Sequence, residues 1–138
     1  MSVFTEDELA FLQSKRIGRL ATSNAKGDLH VVPLRFKYNT DLDVVDLVGS
    51  DVGGTKKFRD VQATGRAAFV VDDIEDHRPR GLEIRGRAEA HSAGGGDLVE
   101  GVGPTFIRLI PERVATWGIE GETKYPVGRD VAVAEKRA

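Results

Sequence analysis

The sequence predicts a small, mostly antiparallel β-barrel with α-helical additions, and three observations predict it. Six short apolar runs are separated by stretches rich in Gly, Asn, Asp and Pro, the punctuation of a β-rich chain. Two of those runs, 29–38 and 82–91, alternate with the period of two that sets one face of a strand on a core. Helix signals occur in only two short stretches. A chain of 138 residues, 40% hydrophobic and 30% charged, is sized for one folded domain with one core.

Taken in order, Thr5-Glu6-Asp7-Glu8 reads as a capping box that opens a helix running to about residue 14, with Leu9, Leu12 and Phe11 available to dock on a sheet. Residues 17–23 form the first strand, closed by a turn over 24–28 in which Gly27 takes positive φ. In the second strand, 29–38, His30, Val32, Leu34, Phe36 and Tyr38 share one face, and Leu29, Val31, Pro33, Arg35 and Lys37 the other. Pro33 cannot donate to a ladder, so this strand has an edge or a bulge there, leaving backbone groups for the polar rim of a flat ligand or simply marking an edge strand.

Residues 44–49 form the third strand. The connection after it, Gly53-Gly54-Thr55-Lys56-Lys57-Phe58-Arg59-Asp60-Val61, opens a helix over about 55–63. Glycines that let a backbone approach closely, free amides at a helix start and grouped cations together suit a phosphate. Thr55 would serve as N-cap or phosphate donor, with Lys56 and Lys57 in the first turn, where cations oppose the helix dipole unless an anion is bound. A solvated loop with surface lysines is the plain alternative.

Residues 66–72 read as a buried fourth strand, 72–76 as an acidic surface loop without the pattern of a calcium site, and 82–91 as the fifth strand. Arg78, Arg80, Arg85 and Arg87 gather around that strand, either as ligand-binding groups or as partners of Glu83 and Glu89. Residues 92–103 are glycine-rich and irregular, with a helical turn near 97–100; 106–117 form a sixth strand broken around Pro111 and ending at Trp117, a core or interface residue. From residue 120 the chain reads as a polar tail, mobile or dependent on a partner; the expected division is a domain at 1–120 and a tail at 121–138.

The composition also excludes. Without cysteine there is no disulfide, thiolate nucleophile or cysteine metal site, and His30, His77 and His91 lie too far apart for a recognisable zinc spacing. A net charge of −2 speaks against non-specific nucleic-acid binding, and no apolar run is long enough to span a membrane or serve as a secretion signal, so a cytoplasmic location is expected. No Gly-x-Ser-x-Gly elbow or His-Glu-x-x-His helix occurs, so any reaction is expected to be carried by a cofactor.

Four stretches, Ile17-Gly18-Arg19-Leu20-Ala21-Thr22, Gly27-Asp28-Leu29-His30-Val31-Val32-Pro33-Leu34, Thr55 to Val61, and Arg78 to Arg87, resemble the pyridoxamine 5′-phosphate oxidase-like split-barrel superfamily. More closely they are similar to its actinobacterial branch of flavin and deazaflavin oxidoreductases, many assigned to coenzyme F420. The resemblance implies a six-stranded antiparallel split β-barrel forming a homodimer with cofactor sites at the subunit interface. It further implies that Thr55, Lys56 and Lys57 hold the cofactor phosphate, that His30, Val32 and Pro33 lie beside the ring, and that Arg80 reaches the cofactor from the other subunit. The C-terminal stretch from Val131 departs from the arginine-containing end of true pyridoxamine phosphate oxidases, which sets that substrate aside. The expected activity is hydride transfer from coenzyme F420 to an electron-poor small molecule, with Arg85 and Arg87 facing the cofactor's glutamate tail and the proton drawn from solvent. An FMN-dependent oxidoreductase and a non-catalytic flavin or haem carrier are the alternatives.

Overall fold

The structure is a computed structural model that describes residues 1–121 and 126–134. Its strands are β1 (Ile17–Ser23), β2 (Leu29–Asn39), β3 (Val44–Val48), β4 (Arg66–Glu75), β5 (Arg78–His91), β6 (Phe106–Trp117) and β7 (Val127–Asp130); its longer helices are α1 (Glu6–Gln13) and α2 (Lys56–Thr64). The sheet runs β3-β2-β1-β4-β5-β6-β7, all antiparallel, and β3 also pairs with β6. That last pairing closes six strands into a barrel, as expected from the sequence, with β7 added outside the closure. Inward residues at every second position, among them Leu20, Phe69, Leu82, Ile84, Ile107 and Leu109, fill the barrel.

Local chemistry explains the elements. The capping box of α1 is formed: Thr5 Oγ1 accepts from the Glu8 amide at 3.1 Å while Glu8 Oε1 accepts from the Thr5 amide at 3.0 Å. Helix α2 stops at Gly65, whose φ of 67° is costly for any residue with a side chain. Gly86 faces a bulge in β6, where the register skips Glu112, and a Cβ there would stand 2.0 Å from the Ile110 carbonyl oxygen. The break anticipated at Pro111 is this bulge.

Two segments differ from the sequence expectation. The acidic stretch 72–76 is not a loop: β4 and β5 continue to a two-residue turn at Asp76 and His77, both at positive φ (51° and 65°), and β5 starts at Arg78. Three of its carboxylates are strand residues facing cations, with Asp72 on Arg19 at 2.5 Å, Asp73 on Lys15 and Arg80 at 2.6 Å each, and Glu75 on Arg80 at 2.8 Å. Of the stretch read as a polar tail, residues 127–130 form β7 on the edge of β6, and residues 122–125 and 135–138 lie outside the described part. Arg129 of β7 reaches across to α1, giving two hydrogen bonds to Glu8 at 2.6 and 2.8 Å and one to the Val3 carbonyl at 2.7 Å. A charged four-residue strand has no apolar periodicity to announce it; tertiary contacts make it.

Candidate functional site

Strand β3 covers β2 only from Arg35 to Asn39, so residues 29–34 have β1 on one side and, among the described residues, no strand on the other. Pro33 therefore sits at an edge rather than a bulge. Along this open half, His30, Val32 and Leu34 are half-buried, whereas Leu29, Val31 and Pro33 are exposed on the outer face.

Helix α2 starts where β3 ends, after a 3-10 turn at Val52–Gly54. Thr55 is its N-cap but supplies no side-chain capping bond; its hydroxyl donates to the Val52 carbonyl at 2.6 Å. The amides of the first turn are thus left for an outside acceptor. Thr55 and Lys57 line a cavity of about 180 Å³ together with Leu34, Val48 and Asp51. Burial pulls the Lys57 ammonium below its ordinary value, and no described carboxylate pairs with it. A half-buried unmatched cation beside uncapped amides fits an anion.

Lys56 does something else. It lines a neighbouring cavity with Lys26 and Arg59, and its ammonium lies 3.0 and 3.2 Å from the carboxylate oxygens of Asp60, which is only 3% exposed. Thr22 Oγ1 on β1 donates to the same carboxylate at 2.8 Å. Burial pushes the Asp60 carboxyl up, but the hydrogen bonds from Lys56 and Thr22, with the fields of Lys56 and His30, outweigh it and hold the group below its ordinary value.

Arg80 lies apart from this region. It donates to Asp73 at 2.9 and 2.6 Å, meets Glu75 at 2.8 Å, and sits over the Phe11 ring. These contacts hold the Asp73 carboxyl down to about 2 against its burial, with help from Lys15. Within the protomer Arg80 is committed to carboxylates. Arg85 lies 3.4 Å from Glu83 and Arg87 3.7 Å from Glu112, so both have ion-pair partners, while Trp117 packs over Gly81.

Residues 4–100, which span β1 to β5 and α2, match the profile of the family described as pyridoxamine 5′-phosphate oxidase. The chain belongs to the pyridoxamine 5′-phosphate oxidase family. A relative from Streptomyces rimosus subsp. rimosus, a 5a,11a-dehydrotetracycline/5a,11a-dehydrooxytetracycline reductase, is 37% identical over 136 residues that cover 96% of each chain. Among solved structures, a heme-binding protein from Mycobacterium smegmatis superposes with a TM-score of 0.68 at 17% identity over 91% of this chain, which spans 57% of that protein. An FAD-binding protein from Mesorhizobium loti gives 0.62 at 20% identity, covering 78% of this chain and 87% of that one. At these identities the structures share the fold of this oxidase-family member and nothing finer.

All the residues expected at the site fall inside the family segment, yet the fold brings only some of them together. Thr55 and Lys57 share a cavity beside the open end of β2; His30 and Lys56 flank Asp60; Val32 stands between the two groups along β2; Pro33 faces outward. The sequence reading missed Asp60, although its spacing of four from Lys56 is that of a helical ion pair.

Proposed function

We propose that the protein is an oxidoreductase that binds coenzyme F420 through its phosphate at the start of α2. The observation that carries this reading is the uncapped first turn of α2 with the unmatched, half-buried Lys57 beside it. The reductase relative supports the reaction class. When bound, the cofactor supplies a hydride for an electron-poor double bond of a small molecule. The chain's own part is to hold and orient. First-turn amides and Lys57 take the phosphate, with Thr55 lining the cavity beside them, and His30, Val32 and the open backbone edge around Pro33 border the ring. FMN-dependent redox chemistry at the same site is the second reading, since an uncapped helix start also suits the phosphate of FMN. Fluorescence titration of the purified protein with coenzyme F420 and with FMN tests both: micromolar binding of F420, about −8 kcal/mol, is expected, and binding of neither removes the cofactor assignment.

The assembly we propose is a homodimer. Ile17, Leu29 and Val31, 59%, 87% and 65% exposed, form with Pro33 an apolar outer face on β1 and β2 that a second copy would cover. Arg80 would then reach the neighbour's site only by leaving its carboxylate partners. Sedimentation at micromolar concentration should give twice the 15.0 kDa chain mass; a monomer, insensitive to Val31→Glu, would remove this assembly. We assign cofactor binding to residues 1–120, place the protein in the cytoplasm, and treat the stretch from 121 as an addition joined through β7.

A further inference from the structure

We propose that Asp60 decides which class of phosphate ester the start of α2 accepts. By holding Lys56 in an ion pair, it leaves a site suited to the monoanion of a phosphodiester rather than the dianion of a phosphomonoester. The inference rests on the reading that this helix start binds phosphate, and it narrows the ligand.

Two adjacent lysines would offer a dianion two cations, but Lys56 is bonded through its ammonium to both oxygens of a carboxylate 3% exposed. Turning Lys56 toward a phosphate would leave the Asp60 charge with Thr22 as its remaining hydrogen-bond partner, and a buried charge without its counter-ion is strongly unfavourable. Lys56 therefore stays with Asp60. The charged residues lining the cavity are then Lys57 and Asp51, whose carboxylate lies 2.6 Å from where a Cβ on Gly54 would stand. With the partial positive charge of the helix start, this is a weakly positive site, enough to match one negative charge on the ligand but not to repay the desolvation of a second. A terminal phosphomonoester, as in FMN, carries close to two charges near neutral pH because its second pKa is about 6. A phosphate esterified on both sides, as in coenzyme F420, carries one.

Asp60→Asn tests this directly, since the amide keeps an acceptor for Thr22, removes the negative charge and frees Lys56. Affinities for F420 and FMN, and amide shifts of residues 56–58 on adding diphenyl phosphate or phenyl phosphate, are measured for three proteins: the native chain, Asp60→Asn and the double variant Lys56→Met/Asp60→Asn. The native chain should prefer the diester of each pair. Asp60→Asn should move the ratio about tenfold toward the monoester, roughly 1.4 kcal/mol, and the double variant should restore it. A ratio unchanged by Asp60→Asn overturns the proposal, and so does binding of neither simple ester. Should Asp60→Asn fail to fold, the double variant, which buries no unmatched charge, decides. Diester binding within about twofold of native supports the proposal, whereas a tenfold loss shows that Lys56 itself serves the phosphate and overturns it. Preference for diphenyl phosphate without binding of either cofactor upholds the role of Asp60 and removes the F420 assignment.

Discussion

Arg129→Ala should destabilise the protein by about 3 kcal/mol, the largest stability loss expected from any single substitution described above. Glu8 is 1% exposed, and two of its hydrogen bonds come from the Arg129 guanidinium. Removing that guanidinium leaves a buried carboxylate bonded, among the described residues, only to the Thr5 amide, and frees the Val3 carbonyl as well. The value belongs at the low end for buried pairs because the Arg129 side chain is 38% exposed, so water replaces part of what is lost. Thermal unfolding followed by circular dichroism should show a midpoint lower by roughly 10 °C. Glu8→Gln/Arg129→Leu should recover part of the loss, since it leaves no buried charge unmatched. An unchanged midpoint in Arg129→Ala would mean that β7 does not stay docked in solution.

The second large effect is on binding. Lys57→Ala should weaken F420 by about 30-fold, roughly 2 kcal/mol, the usual size for a hydrogen bond to a charged group. The same substitution should not lower the melting temperature, because an unmatched half-buried ammonium contributes nothing to folding that alanine fails to supply. That pairing of lost binding with kept stability separates a ligand-holding role from a structural one. The pH dependence has a definite sign. The protonated form of Lys57 attracts the phosphate, so affinity is present at low pH and falls as pH rises through the lysine's pKa. Burial moves that fall to lower pH than an ordinary lysine, near 10.5, would give. Equal affinity in native and Lys57→Ala proteins would place the phosphate elsewhere.

Particular residues show how far the sequence could be read. The capping box at Thr5, the alternation in 29–38 and the proline edge at Pro33 are local patterns whose physics does not depend on distant partners, and the structure has each of them. The segment 72–76 misled because four carboxylates in five residues look solvated; Lys15 and cations on β1 and β5 that approach only after folding pair Asp72, Asp73 and Glu75 within a strand. Strand β7 was illegible for the same reason, its docking being set by residue 8, 121 positions earlier. Lys56 and Lys57 carried a signal that grouping them concealed. Consecutive residues on a helix point about 100° apart, so two adjacent lysines set out toward different sides, and a carboxylate one turn on can hold one of them there. The spacing of Asp60 from Lys56 says which of them turns away.

The open half of β2 has a cost and a safeguard in the same residue. A strand with free backbone groups and exposed Leu29 and Val31 is the kind of edge on which a foreign strand can grow, the first step toward fibres. Pro33 deletes a donor from the middle of that row, so an invading chain cannot continue its ladder across it. Position 33 therefore guards against growth into aggregates as well as bordering whatever the edge binds, so that the edge can stay open without becoming a template for polymerisation.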